Sequence, residues 1–182
     1  MDESEATLLS RCRAGDRDAF GVLVRRHAGR AIGSAYAFLR NHADALDVSQ
    51  DAFVRAWRSI RRFEGRSGFY TWYATILRNL CLDHIKRRRR RDESPLPEGE
   101  PADPADDPGP ELLAERNERA QRVWRAVLDL PIKHREVIVM HHFQEMSYKQ
   151  IAAALSIPIG TVMSRLHAAR KVLREALAGD RP

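Results

Sequence analysis

Ser147-Tyr-Lys-Gln150-Ile-Ala-Ala-Ala-Leu155-Ser-Ile-Pro158-Ile-Gly-Thr161-Val-Met-Ser164-Arg165-Leu-His167-Ala-Ala-Arg170-Lys171 has the form of two helices separated by a tight turn. Ser147 and Gln150 stand three apart, the spacing of a capping box, and Tyr148, Ile151, Ala152 and Leu155 then fall on a single helical face. Ser156-Ile157 makes the turn, with serine where glycine is often found. Pro158 has a fixed φ and no N–H to lose, which suits the first turn of a second helix. In that helix Ile159, Val162, Leu166, Ala169 and Leu173 recur at steps of three and four. The opposite face carries Thr161, Ser164, Arg165, His167 and Lys171. Two packed core helices with a solvated face would show the same periodicity. Small polar and cationic groups near the outward N-terminal end, however, are what a major groove accepts, so the pattern predicts a helix-turn-helix whose ligand is duplex DNA.

Charge along the 182 residues falls into three blocks. Residues 1–91 hold 19 Lys and Arg against 10 Asp and Glu, residues 92–118 hold 1 against 10, and residues 119–182 hold 11 against 5. Two basic bodies flanking an acidic strip point to two surfaces that meet a polyanion, joined by a segment that avoids it. A plain solvated surface would also account for the last block. Cys12 and Cys81 lie far apart, each within a helical pattern, and read as reduced core residues of a cytosolic protein. The sequence has no run of eighteen apolar residues, and its first residues, Met1-Asp-Glu-Ser-Glu, are acidic where a signal peptide is basic and then apolar. A cytoplasmic protein without membrane insertion is expected, with no further C-terminal regulatory domain after the second helix.

The stretch from Asp92 to Pro110 contains Pro95, Pro97, Pro101, Pro104, Pro108 and Pro110 with acidic residues between them, and it has too little apolar surface to fold alone. Residues 92–112 are therefore expected to be a flexible linker between domains at 1–91 and 113–182. Before the linker no sustained strand-type alternation occurs. Phe20, Leu23, Val24, His27, Ile32, Ala35, Phe38 and Leu39 suit a helix from about Asp16 to Arg40. Leu46, Phe53, Val54, Trp57 and Ile60 suit a second from about Ala43 to Arg62. The loop Phe63-Glu-Gly-Arg-Ser-Gly68 follows, and then a helix from about Phe69 to Arg90 with Trp72, Ile76, Leu77, Leu80, Cys81 and Ile85 inward. Beyond the linker, Ala120, Val123, Trp124, Val127 and Leu128 predict one helix, and Pro131 opens another that carries Val137, Ile138 and Met140. The fold class is all-α: two small helical domains joined by a flexible acidic linker, the second built round Trp124 and its aliphatic neighbours.

Three features of the first domain are candidates for contact. Asp47, Gln50 and Asp51 share one exposed helix face, either a solvated face or an acidic protein-docking surface in a basic domain. Arg78, Asn79 and Asp83, with the run Lys86-Arg-Arg-Arg-Arg-Arg91, line the last helix. Phosphate contact is the natural use of such a run, although cations at a helix C-terminus also offset the macrodipole, and a nuclear localisation signal has a similar composition. Phe63, Phe69, Tyr70, Trp72 and Tyr73 cluster beside Arg61, Arg62 and Arg66; most of these rings are core, and Phe63 with its loop is the best placed to stack on an unpaired base. His141-His142 and Asp83-His84 lack the spacing of a metal site, and no phosphate loop or activated nucleophile is present. No enzyme activity, catalytic residue, metal, cofactor or small-molecule substrate is expected.

With the Asp-Val-Ser-Gln-Asp-Ala-Phe helix, the Phe-Tyr-Thr-Trp segment ending in Arg-Asn-Leu and a basic run, and the Pro-Ile-Gly-Thr-Val-Met-Ser-Arg-Leu helix, the chain resembles a bacterial sigma factor. It is similar to the extracytoplasmic-function (ECF) subfamily of the sigma-70 family from about Asp16 to Leu177. The resemblance implies that the first domain is region 2, docking on the clamp helices of core RNA polymerase and capturing the melted minus-ten element. It implies that the second is region 4, meeting the polymerase flap and binding the minus-thirty-five element as duplex. By the same resemblance Asp47, Gln50 and Asp51 match the polymerase-docking helix. Phe63, Arg66, Ser67 and Phe69 match the loop that holds a flipped base, and Arg78, Asn79, Asp83 and Lys86 match the helix that reads upstream of it. Lys149, Thr161, Met163, Ser164, Arg165, His167, Arg170 and Lys171 match the minus-thirty-five reader. The acidic linker is expected to thread the RNA exit path, and an anti-sigma factor is an expected partner. Leu46, Met163 and Ala168 depart from the family pattern, in which acidic, basic and arginine side chains respectively are common; with fewer cations at Met163 and Ala168 in the recognition helix, weaker or altered minus-thirty-five binding is expected.

Two readings from other classes remain beside this one. A stand-alone helix-turn-helix transcriptional regulator with a helical N-terminal interaction domain would not need the Asp47/Gln50/Asp51 face. An RNA-binding adaptor would use the Arg87–Arg91 run without sequence preference and leave the polar face of the last helix idle.

Overall fold

The computed structural model describes residues 3–65, 67–92 and 118–178, and the described residues are helices and short connections without strands. The first helix, α1 (Glu5–Arg13), starts where the Ser4 hydroxyl accepts from the Thr7 N–H at 3.2 Å, and it buries Leu8, Leu9 and Cys12. Gly15 at φ +96° breaks it, a left-handed turn that glycine makes without a Cβ clash. Asp16 then caps α2 (Arg17–Leu39) by accepting from Asp18 and Ala19 N–H, and α2 ends on Arg40 in the left-handed region. Asn41 caps α3 (His42–Ser59), which tightens into a 3-10 turn (Ile60–Arg62). After the loop, α4 (Phe69–Asp92) closes the first domain.

An aromatic cluster joins these helices. Phe20 of α2 meets Trp57 of α3 at 5.1 Å between ring centroids, and Phe53 stacks on Tyr73 of α4 at 4.3 Å. The buried hydroxyls are satisfied: Tyr73 donates to the Ser49 carbonyl at 3.0 Å, and Tyr70 pairs with Ser34 at 3.2 Å. Burial drives the Tyr73 phenol far above the usual range and that of Tyr70 up to about 12, so both stay neutral. Cys12 and Cys81 are free and buried, and burial pushes the Cys81 thiol up to about 12.

The second domain comprises α5 (Glu118–Asp129), α6 (Ile132–Ile138) running into a π-turn (Val139–Phe143), α7 (Tyr148–Leu155) and α8 (Ile159–Ala178). Val127, Leu130, Val137, Ile138, Met140, Met146, Ile151, Val162, Leu166 and Ala169 form its core. The capping box at Ser147 is present in both directions, with Gln150 N–H to Ser147 Oγ at 3.3 Å and Ser147 N–H to Gln150 Oε1 at 2.8 Å. Ser156 takes the left-handed conformation (φ 53°, ψ 45°) that glycine commonly supplies at a helix end. The chain bends by 107° from α7 into α8, within the range of a helix-turn-helix.

The second domain packs directly on the first. The residues from Gly33 to Leu39 are buried on every side of α2, because α3 and α4 cover one flank and α5 and α6 the other. Trp124 stacks near-parallel on Tyr36, and Trp124, Leu128 and Val139 are continuous with the first domain's core. Arg135 donates to the Ala37 carbonyl at 3.1 Å and to the Leu130 carbonyl at 2.9 Å, and burial lowers its pKa to about 10. Arg30 donates to the Phe143 carbonyl at 2.5 Å, and Arg40 pairs with Asp129 at 3.0 Å.

Several sequence expectations are corrected. Val54, Val123 and Ile159, expected inward by periodicity, are exposed, as is Leu46. Helical spacing identifies an apolar stripe but not how far its edges are covered. Pro158 precedes α8, its carbonyl accepting from Thr161 and Val162 N–H at 2.9 and 3.2 Å. The linker between residues 93 and 112 and the side chain of Arg91 lie outside the described residues. No single helix among the described residues is long and apolar enough to cross a membrane.

Candidate polymerase and nucleic-acid interfaces

On α3 the buried positions Ala45, Val48, Ser49, Ala52, Phe53 and Ala56 turn one face to the core. Asp47, Gln50 and Asp51 stand together on the opposite, exposed face. Leu46 at 36% and Val54 at 48% exposure flank them, so the face mixes two carboxylates with two partly exposed aliphatic side chains. Charge gives such a surface its orientation and the aliphatics give it area to bury, the composition of a protein-docking patch.

The second surface is built by the loop after α3 and by α4. Phe63 is only 4% exposed, with its ring against Trp72 at 4.9 Å, and Phe69 is fully buried against Phe20, His27 and Tyr73. The expectation that the Phe63 ring is available to stack on a base is therefore corrected: Phe63 and Phe69 anchor the loop's two ends in the core. Glu64, Gly65 and Gly68 are exposed between them and Ser67 is half-buried; Arg66 lies outside the described residues. Arg13, Arg61, Arg62, Phe63 and Glu64 line an open groove at the loop's edge. Sequence reading missed Arg13, which comes from α1.

Along α4, Asn79, Asp83 and Lys86 are exposed and follow one another at helical steps. Asp83 and Lys86, with Arg87, Arg90 and Arg55 of α3, line a second groove. This cationic channel has the chemistry to track a phosphate backbone, with Asn79 and Asp83 supplying polar groups of a kind that hydrogen-bond to bases. Arg78 is held across the domain boundary. Its guanidinium is bonded to Glu136 of α6, with side-chain exposures of 16% and 8%, and it also donates to Asn79 Oδ1 at 3.2 Å. Glu136 was missed by sequence reading, and nothing local distinguishes it from any helical glutamate.

The third surface is α8. Val162, Leu166 and Ala169 are buried, while Met163, Ser164, His167, Arg170 and Lys171 are exposed and Thr161 and Arg165 half-buried. Met163 is 53% exposed, an apolar side chain in the middle of the polar face. Ser164 donates to the Thr161 carbonyl at 3.0 Å, and Lys149 is exposed on the first turn of α7. His142 lies nearby; burial, His141 and Arg170 hold its pKa below the usual range. The His141 ring sits against Tyr148 and meets the Met146 carbonyl at 3.1 Å, so this histidine pair packs the turn before α7.

Comparison with known proteins follows the same division. Residues 23–91 match the family described as Sigma-70 region 2, and residues 120–173 match Sigma-70, region 4. The RNA polymerase sigma-H factor of Pseudomonas aeruginosa is 32% identical over 96% of this chain and 94% of its own. The ECF RNA polymerase sigma factor SigW of Bacillus subtilis is 33% identical over 93% and 94%. The sigma factor RpoE of Bartonella quintana, solved in complex with the anti-sigma factor NepR, superposes with a TM-score of 0.71 at 27% identity, over 89% of this chain and 98% of that one.

Proposed function

Because the chain belongs to the ECF subfamily of the sigma-70 family of RNA polymerase sigma factors, and so directs core polymerase to specific promoters, we propose that its three exposed surfaces divide that work between them. The α3 face of Asp47, Gln50 and Asp51 docks on core polymerase, with Leu46 and Val54 as its apolar margin. The loop at residues 63–69 and the α4 ridge of Asn79, Asp83 and Lys86 hold the melted minus-ten strand. Lys149 and the α8 face from Thr161 to Lys171 read the minus-thirty-five element. Region 2 occupies residues 1–91 and region 4 residues 113–182, with the acidic segment between them as the linker. The factor acts in the cytoplasm and performs no catalytic step itself; nucleotide addition is the polymerase's chemistry.

The observation that carries this reading is the order of three different surfaces on one chain: acidic and apolar on α3, cationic and polar on α4, and a bent helix pair presenting a polar face on α8. A stand-alone regulator needs only the last. Opening one base step costs a few kcal/mol, which base contacts and phosphate neutralisation along α4 offset. In the packed arrangement, however, Arg78 is engaged by Glu136. For Arg78 to reach DNA the two domains must part, so the packed arrangement is the resting form and the polymerase-bound form is open. A partner that favours the packed form would keep the factor silent, and the likeness to a sigma factor held by an anti-sigma factor supports a partner of that class.

The test is run-off transcription from host genomic fragments by core polymerase of the same host, with and without the chain. New discrete transcripts that vanish in the Asp47→Lys/Asp51→Lys variant are expected. No new transcripts, together with tight sequence-specific binding by the chain alone, would establish the stand-alone regulator instead.

A further inference from the structure

The helix α1 lies wholly before the matched region 2, which begins at residue 23, yet two of its side chains reach the loop at residues 63–69. Arg13 donates from Nη2 to the Phe63 carbonyl at 2.6 Å, and its guanidinium lies 5.7 Å from the Phe63 ring centroid. A Cβ added to Gly65, which adopts φ +74°, would stand 3.4 Å from the same nitrogen. At the loop's other end Glu5 Oε1 accepts the Phe69 N–H at 3.0 Å, filling an N–H left open in the first turn of α4. A Cβ on Gly68 would lie 3.8 Å from that oxygen. Glu5 Oε2 also faces His27 Nε2 at 3.6 Å, and the His27 ring packs on Phe69 and Tyr70.

Glu5 and Arg13 are eight residues apart on one helix, about 12 Å along its axis, so a single rigid element holds both ends of the loop. The helix is itself fixed. Leu8 and Cys12 are fully buried, Arg11 pairs with Glu3 and Asp16, and Arg26 donates to the Glu3 carbonyl at 2.8 Å. Between the two anchors, Gly65 and Gly68 leave the backbone intrinsically free. A loop so composed and left untethered would sample many shapes and would have to be ordered each time it closed on a base.

We infer that Glu5 and Arg13 are positioning residues for strand capture, with α1 acting as a brace that fixes the span of the base-holding loop before DNA arrives. This rests on the proposed assignment of residues 63–69 as that loop. The ligand is a single-stranded base of the melted minus-ten element. Neither side chain needs to touch it: Arg13 sets the first turn of the loop and Glu5 sets the last.

The test uses holoenzyme assembled from host core polymerase and the full chain, on a promoter recovered by run-off transcription. Each minus-ten position is changed to the three other bases, in duplex and in pre-melted form. Arg13→Ala and Glu5→Ala are expected to lower open-complex formation on the native promoter about tenfold, the factor for losing one charge-assisted hydrogen bond of preorganisation. They should also compress the discrimination between right and wrong base at the captured position by a similar factor, with polymerase affinity near that of the parent and a melting temperature lowered by no more than the few degrees that one lost hydrogen bond costs. Glu5→Gln, which keeps an acceptor oxygen, should retain most of the discrimination. Should Arg13→Ala fail to fold, Arg13→Lys preserves the stem and charge but not the forked donor, and carries the same expectation. A loop variant, Gly65→Pro, is the control for the underlying assignment. If it compresses discrimination and the α1 variants do not, the brace is refuted; if neither does, the loop does not hold the base and the assignment fails with it. Activity lost in step with melting temperature at unchanged discrimination would also overturn the inference.

Discussion

Replacing Glu136 by Gln should increase, not decrease, the DNA binding of the free chain. Glu136 belongs to region 4 and Arg78 to region 2, and their side chains are 8% and 16% exposed, so solvent screens the pair little. A hydrogen bond to a charged group contributes about 1.5–3 kcal/mol, and Gln retains the acceptor while losing the charge, so the packed form should lose about 1.5–2 kcal/mol relative to the open one. That is roughly a 10- to 30-fold shift in the ratio of open to packed molecules. The shift is not larger because Trp124 on Tyr36 and Arg135 on the Ala37 carbonyl still hold the domains. Resonance energy transfer between dyes on Arg17→Cys and Arg174→Cys would report the separation, since both positions are exposed while Cys12 and Cys81 are buried. Efficiency should fall in Glu136→Gln, and affinity for a single-stranded minus-ten oligonucleotide should rise as Arg78 is freed. Arg78→Gln should open the chain equally but weaken that affinity. Unchanged transfer efficiency in both variants, or a double-mutant coupling near zero, would refute the lock.

Four further outcomes are expected. Asp47→Lys with Asp51→Lys should weaken core-polymerase binding by on the order of a hundredfold, read by co-elution or anisotropy, and leave the melting temperature unchanged because both side chains are exposed. Met163→Arg puts a cation in the centre of the α8 face and should steepen the slope of log K against log salt by about 0.9 on duplex minus-thirty-five DNA in the assembled holoenzyme; an unchanged slope would remove that position from the groove. Ser156→Gly relieves a left-handed serine at a helix end and should stabilise region 4 by about 0.5–1 kcal/mol after the entropy of glycine is allowed for, so a lower melting temperature would contradict the turn geometry. Burial holds the His27 pKa below the usual 6.5, so the unfolded chain binds a proton more readily there; its contribution to stability is full above about pH 6.5 and is lost as pH falls through the lowered value. Thermal melts across that window should show the loss, reduced in His27→Gln.

Much of this fold could be read from the sequence because helices announce themselves locally. The steps of three and four in α8, the Ser147/Gln150 capping box and the glycine-broken loop each depend on residues a few positions apart, and each appears in the structure. The exposed polar face on α3 was legible for the same reason, since Asp47, Gln50 and Asp51 are neighbours on one helix. Phe63 was misjudged because its neighbours Trp72 and Arg13 are brought to it from α4 and α1. An aromatic beside glycines and arginines has the same local signature whether its ring faces a base or a core.

The contacts between domains were not legible, although one signal was present. Gly33-Ser-Ala-Tyr-Ala-Phe-Leu39 has no charged residue on any face, and a helix segment apolar all round must be covered on more than one side. A four-helix region 2 covers only one flank of it, so the segment required a second layer, which α5 and α6 supply. The same reasoning sets a cost for the open form. Parting the domains exposes Tyr36, Trp124, Leu128 and Val139 and strips Arg135 of the Ala37 carbonyl, so an open factor free in solution carries uncovered apolar surface. On the proposed reading, polymerase must therefore supply more than a docking site for α3: its binding free energy has to exceed that of the interface it opens. Weakening the interface at Glu136 should then raise apparent polymerase affinity even though Glu136 lies outside the α3 docking face.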